Sequence, residues 1–199
     1  MSAREGRAYP RKVSLGGEMV TLRPMNGMDR AALLAFSRAL PGHDLLFLPV
    51  DITRPAVIDA LGRRHRARRG HDPARGSRRG GAGYAAVDRG QLDWSPHVAE
   101  LRVLVAGAMR GKGLGRLLTQ EAFALALELG IEKMVAQMTV DQKGAIAVFE
   151  GMGFRPEALL RDHVKDREGK KHDLLVLSHD VARFQSQMDA YGVSEALEP

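Results

Sequence analysis

Three glycines fall within five residues in the segment Arg110-Gly111-Lys112-Gly113-Leu114-Gly115. An apolar run precedes the segment and an amphipathic run follows it. Residues 100–105 (ELRVLV) are rich in Leu and Val and read as a central strand. Leu114, Leu117, Leu118, Ala122, Leu125 and Leu129 then recur at helical spacing, with Gly130 where a helix stop belongs. Glycine lets the backbone turn sharply and lets an anion reach the amides without meeting a Cβ. The start of a helix offers unsatisfied N–H groups and the positive end of its dipole. Arg110, Lys112 and Arg116 add full positive charge. Such a turn suits a phosphate or pyrophosphate. The same spacing also fits a tight strand–helix turn that holds no ligand.

Two nucleotide motifs are excluded. A P-loop has four residues between its glycines and ends in Lys followed by Ser or Thr. Here Gly107 and Gly111 enclose three residues, and Gly113 follows Lys112. A dinucleotide fingerprint reads Gly-x-Gly-x-x-Gly, whereas Gly111, Gly113 and Gly115 alternate.

The rest of the chain surrounds this unit with short elements. Residues 20–23 read as a strand stopped by Pro24. Ala32, Leu33, Phe36 and Leu40 mark a helix opening near Asp29. Thr53 and Pro55 begin a second helix. Residues 83–87 read as a strand and 88–90 as a turn. Met134, Ala136, Met138 and Val140 alternate in a further strand, and Asp141 is a plausible N-cap for the helix carrying Ala145, Val148, Phe149 and Met152. Two strands joined near residues 167–170 follow. Residues 1–18 read as a flexible N-terminal arm, 19–182 as one domain and 183–199 as a C-terminal tail.

The chain of 199 residues suits one domain and holds no cysteine. Disulfides, thiolate metal sites and a cysteine nucleophile are therefore excluded, and a reducing compartment, the cytoplasm, fits. No apolar run is long enough for a membrane helix. The formal charge of +6 is concentrated in segment 63–79 (RRHRARRGHDPARGSRR), which has eight arginines and one acid. Outside it, bases and acids nearly cancel. The segment, bounded as 63–80, reads as a mobile Arg-rich loop within the domain. Nucleic-acid binding through it is an alternative function, but aromatic residues to stack bases are scarce there.

The glycine-rich turn resembles the acyl-CoA motif of the GCN5-related N-acetyltransferase (GNAT) superfamily, Arg/Gln-x-x-Gly-x-Gly/Ala, at Arg110, Gly113 and Gly115. ELRVLV looks like that family's fourth strand. Residues 145–154 (AIAVFEGMGF) resemble its second signature, Asn-x-x-Ala-x-x-Leu-Tyr-x-x-x-Gly-Phe. The resemblance spans about residues 20–180, and the two motifs stand in order with a helix and a strand between them.

It implies an α/β (α+β) fold, a mixed and mostly antiparallel sheet flanked by helices in a single domain. The activity it implies is N-acetyl transfer from acetyl-CoA, without a metal, to a primary amine of a small molecule or protein. Amides near Leu104 and Val105 would meet the pantetheine and thioester. Residues 110–116 (Arg110, Gly111, Lys112, Gly113, Leu114, Gly115, Arg116) would hold the pyrophosphate. Pairing of two copies through the late strands is common in the family.

Two positions depart from the pattern: Phe149 stands where many members have the tyrosine that protonates the leaving thiolate, and Gln142 stands where an asparagine often contacts the cofactor. The short strand that usually precedes residues 83–87 is absent or replaced by the Arg-rich loop. Phe149 also supports an alternative reading, a CoA-binding sensor without turnover.

Transfer requires a neutral amine. At pH 7 neutralising a lysine-like amine costs roughly 4–5 kcal/mol, so a base helps. Glu100 is the first candidate, because the family often places a base glutamate on this strand. His97, three residues earlier, is the second. Tyr84, His163 and His172 are candidate acids. Asp44 and Asp51, in or beside the wall formed by residues 41–53, suit a cationic acceptor, and Trp94 could line the acceptor pocket. Without cysteine, direct attack by the amine is favoured over an acyl-enzyme.

Overall fold

The computed structural model describes residues 8–46, 48, 50–60, 75–78, 81–89 and 93–181. Among the described residues eight strands form one sheet: β1 (Arg11–Leu15), β2 (Glu18–Pro24), β3 (Arg75–Arg78), β4 (Gly83–Arg89), β5 (Val98–Val105), β6 (Lys133–Thr139), β7 (Arg155–Lys165) and β8 (Lys171–Asp180). The strand order is β1-β2-β3-β4-β5-β6-β8-β7, antiparallel except for the β5–β6 pair. Helices among the described residues include α1 (Arg30–Ala39), α2 (Leu114–Glu128) and α3 (Lys143–Glu150). Residues 55–60 are also helical. This is the expected mixed, mostly antiparallel sheet flanked by helices in a single domain.

Period-2 alternation along β5 divides the core between the sheet's two faces. Leu101 turns toward α2 and joins Leu114, Leu118, Leu125, Met134, Phe154 and Leu177, all nearly or wholly buried. Leu104 turns the other way, onto Leu33, Phe36 and Leu40 of α1 and the following loop, with Ile52 and Ile58. The strand that meets the glycine-rich turn is therefore clamped from both sides. Burying each such side chain stabilises the fold by roughly 1.5–3 kcal/mol.

Several expectations are corrected. Residues 11–15, read as part of a loose arm over 1–18, are strand β1 and pair along their whole length with β2. The sequence alternates Lys12, Val13, Ser14 and Leu15, and the Gly16–Gly17 turn at positive φ returns the chain. The strand thought to be missing before β4 is present as β3, inside the Arg-rich segment. Its backbone bridges β2 and β4, so it needs no apolar pattern. Residues 61–74 and 79–80 of that segment and its surroundings lie outside the described residues, as do residues 183–199. Residues 88–89, read as a turn, continue β4. Asp141 does not cap α3, whose N-cap position is Gln142. No helix among the described residues is long and apolar enough to cross a membrane.

Candidate active site

The site begins where two strands part. β5 and β6 are paired only at Val98–Lys133, Ala99–Met134 and Glu100–Val135. Beyond Glu100, β6 continues with β8 on its far side, and β5 continues with β4. The β6-facing backbone groups between Leu101 and Val105 are left without a strand partner. A cavity of about 590 Å³ opens in the gap.

At one end of this cavity is the glycine-rich turn. Gly111 and Gly113 have φ of +74° and +87°, left-handed values that a Cβ disfavours. Gly113 occupies the N-cap of α2 and makes no side-chain cap bond. The last turn-type bond before the helix is donated by the Arg110 amide to Gly107. Among the described residues, no backbone acceptor takes the N–H groups of residues 111–116, and Leu117 is the next to donate, to Gly113. A Cβ on Gly115 would lie 3.6 Å from Cγ2 of Val105, at the cavity lining. The turn is thus a row of open donors at a helix start, lined by Arg110, Arg116 and Lys143. Donors and charges of this kind hold an anion.

Most of the residues named from the sequence meet here. Glu100, Leu104, Val105, Arg110, Gly111, Gly113, Gly115, Arg116, Gln142, Phe149 and Asp44 all line the cavity. Phe149 is buried against Phe154, ring centroids 5.0 Å apart and nearly perpendicular.

Other residues are placed differently. The Lys112 ammonium turns away to Glu18, 2.5 Å distant on β2, with its stem against Gly16. Leu114 is wholly buried and anchors α2 to the core. Both leave their backbone amides in the turn. His97 lies outside the lining, and its carbonyl accepts from the amides of Glu132 and Lys133. Asp51 also lies outside; it bonds the hydroxyl and amide of Thr53, which hold its carboxyl below the usual range. Trp94 is 78% exposed and lines nothing in the cavity. His163 and Tyr84 are likewise not in the lining.

Two lining carboxylates already have partners. Glu100 gives both oxygens to Arg102, at 2.6 and 3.0 Å, and Arg102 also bonds Asp88 at 2.8 Å. Taking a proton on Glu100 would disrupt this bridge. Asp44 pairs with the Arg110 guanidinium, whose Nε also lies 3.4 Å from the Val105 carbonyl.

A group of polar residues, of which only His172 was named from the sequence as a candidate for the chemistry, gathers beside the cavity. Asp141 and Gln137 line the cavity. Asp141 Oδ2 lies 2.9 Å from Nε2 of His43, which is also 3.2 Å from the Thr139 hydroxyl. The Thr139 hydroxyl, above all, holds the Asp141 carboxyl below the usual range, with His43 and His172 adding attraction. The His43 and His172 rings meet edge to face at 5.4 Å, and His172 Nε2 lies 2.8 Å from Asp166. His43 adjoins Asp44 in sequence, but its pairing with residues 139–141 depends on tertiary structure alone. Among the described residues no group of three or more His, Asp or Glu is placed to hold a metal.

Known proteins share this architecture. Residues 74–154 match the acetyltransferase (GNAT) family model. The chain is 33% identical over 84 residues to the Bacillus subtilis (strain 168) protein named "Putative phosphinothricin acetyltransferase YwnH", a stretch covering 42% of this chain and 51% of that relative. A ribosomal-protein-alanine N-acetyltransferase from Brucella melitensis superposes with a TM-score of 0.65 at 25% identity, covering 80% of this chain and 98% of the other. Salmonella typhimurium yncA, solved with its cofactor acetyl-CoA, superposes with a TM-score of 0.68 at 24% identity, covering 81% and 94%. Motif, parted strands and family match agree: residues 74–154, which hold the parted strands, the glycine-rich turn and the second motif, are similar to the GNAT acetyltransferase family.

Proposed function

We propose that this chain transfers an acetyl group from acetyl-CoA to a primary amine, by direct attack within a ternary complex. The carrying observation is the run of unsatisfied N–H groups at residues 111–116, at the end of a cavity between parted strands. The fit is good: the donors lack acceptors, the Gly115 surface is bare, and cations surround them. The Salmonella relative carries acetyl-CoA on the same fold. The Bacillus and Brucella relatives are named as acetyltransferases, the latter acting on a ribosomal-protein alanine. The matched stretch spans about half of the Bacillus relative, so activity on an amine rests on this reading.

Each part of the site has one task. Amides 111–116 hold the diphosphate, and Arg110, Arg116 and Lys143 balance its charge. The open edge of β5, residues 101–105, binds the pantetheine arm in the manner of an added strand. An amide near Leu104 or Val105 polarises the thioester carbonyl. Bound acetyl-CoA supplies an activated acyl group and a thiolate leaving group. The amine nitrogen forms the new C–N bond as the C–S bond breaks, and the nitrogen's proton leaves with the products. Most of the acceleration comes from positioning.

The acceptor in this reading is a small-molecule or protein amine, and the compartment is the cytoplasm. The catalytic unit runs from β1 through β8. A homodimer would use the outer edge of β7, where Leu159 and Leu160 are exposed. The test mixes the protein with acetyl-CoA and a panel of primary amines and follows free thiol. Thiol release that depends on an amine supports transfer. Binding without release supports the CoA sensor suggested by Phe149.

A further inference from the structure

Gln137 is an exposed polar residue in an interior strand of the sheet. Its strand, β6, lies between β5 and β8, and Ala136 and Met138 beside it are buried in the core under α2. Glu100 stands opposite Val135 in the last rung that joins β5 to β6. Alternation from that rung puts Arg102 and Leu104 of β5 on the same face as Gln137 and Thr139 of β6. On this face Leu104 packs against α1, and the Thr139 hydroxyl meets His43 of the turn after α1. Gln137 therefore lines the cavity from the α1 face, opposite the face that α2 covers.

The other polar side chains near it are already bonded. Glu100 and Arg102 hold each other, and Asp88 also holds Arg102. Asp141 pairs with His43, and Asp44 with Arg110. The Gln137 amide has no hydrogen-bond partner among the described residues. A carboxamide carries two N–H donors and an acceptor oxygen. Carboxylates supply acceptors at this wall, whereas the Arg102 donors are committed to them. What Gln137 adds is an open donor.

We propose that Gln137 is a specificity-determining residue for the acceptor amine. Its amide donates to an oxygen held three bonds from the reacting nitrogen, as in a vicinal amino alcohol or an α-amino amide. This inference rests on the acetyl-transfer reading above, in which the thioester carbonyl lies at the amide of Leu104 or Val105. Arg102, across the fork from Gln137, is two residues before Leu104, about 7 Å along the strand. The gap closes at Glu100, so the space between the thioester and this rung receives the atoms next to the acceptor nitrogen. A plain alkyl amine of the same shape excludes water from the amide without replacing its hydrogen bond, and that loss separates the two substrates.

The test uses the full chain with acetyl-CoA and two pairs of amines matched in shape, ethanolamine with propylamine and glycinamide with isobutylamine. The acetyl-CoA dissociation constant, and kcat and KM for each amine, are measured for wild type, Q137M and Q137N. Methionine keeps the length of the side chain and removes the amide, and asparagine keeps the amide on a shorter stem. Wild type should favour the oxygen-bearing member of each pair in kcat/KM. Q137M should cut that preference about 5- to 10-fold, through KM, with kcat on the alkyl amines and acetyl-CoA affinity within about 2-fold. Q137N should fall between the two. Comparing the same pair in each protein cancels the different basicities of the amines, and a merely structural role would slow both members alike. The proposal is overturned if Q137M keeps the wild-type preference, or if both members of a pair lose equally. It is also overturned if acetyl-CoA binding weakens, which would put Gln137 on the cofactor, or if wild type binds acetyl-CoA and turns over none of the four amines. Failure of acetyl-CoA to bind would instead overturn the reading beneath it.

Discussion

Arg110 of the glycine-rich turn and Asp44 of the turn after α1, both lining the cavity, form an ion pair. The carboxylate therefore sits on the motif arginine expected to meet the diphosphate. Half of the Arg110 side chain is exposed, so the pair is worth no more than about 1 kcal/mol. Replacing Asp44 with Asn should tighten acetyl-CoA binding by about 2- to 5-fold at low salt, an effect that fades as salt screens it. Calorimetry at two ionic strengths reads this directly. Weaker binding by D44N would show that the bridge organises the cavity instead of competing for its arginine.

Gly113 and Gly115 should separate folding from binding. An alanine at Gly113 would take φ +87°, a left-handed conformation costing about 1–2 kcal/mol. The melting temperature of G113A should fall by about 2–8 °C. Gly115 has room for a Cβ in ordinary contact with Val105, but that atom enters the cavity lining. Alanine is allowed at this position of the motif, so the larger G115L should weaken acetyl-CoA binding at least 10-fold while its melting temperature falls by no more than that of G113A. Thermal melts and calorimetry on both variants check the contrast.

Phe149 is buried, lies against Phe154 and lines the cavity. Cutting it to alanine opens a cavity in the core, and F149A should cost about 3–5 kcal/mol by denaturant unfolding. F149Y keeps the ring, so its stability should change by less than about 1.5 kcal/mol. If proton delivery to the thiolate limits the rate, F149Y should raise kcat without changing acetyl-CoA affinity. An unchanged kcat would place the limit elsewhere.

His179 couples stability to pH. It is buried beside Phe123 and Phe154, with ring centroids 5.0 and 5.4 Å away. Burial, only partly offset by Asp180, pushes its imidazole below the ordinary value. The folded state thus disfavours the proton more than the unfolded state does. The contribution is fully present above the unfolded value near 6.5 and is lost as pH falls through the lower folded value. Wild type should lose melting temperature below about pH 6.5, and H179F should flatten that slope. Equal slopes for the two proteins would remove His179 as the cause.

Elements with a strong local signature were legible in the sequence. The run from ELRVLV through the turn to Leu129 combines β propensity, glycine spacing and a helical stripe, and the structure has β5, the open turn and α2 there. Of the residues named in and beside it, Leu104, Val105, Arg110, Gly111, Gly113, Gly115 and Arg116 line the cavity. What failed depended on tertiary partners. β3 has no apolar pattern because its backbone completes a ladder between two strands. Glu100 lines the cavity with both oxygens bonded by Arg102, two residues on, a pairing that the strand pattern alone does not announce. His43 and Asp141 are 98 positions apart in the chain, and no spacing rule joins them. Trp94 was named by residue type and Asp51 by its place in the expected wall over residues 41–53, and neither lines the cavity.

The central claim is that amides at the start of α2 grip a diphosphate. Isothermal titration of the wild-type protein with acetyl-CoA tests it most directly, with G115L beside it. The account predicts one site per chain, a dissociation constant on the order of 1 μM to 1 mM, competition by free CoA, and at least 10-fold weaker binding to G115L. No binding heat with folded wild-type protein, or equal affinity in both proteins, would contradict it.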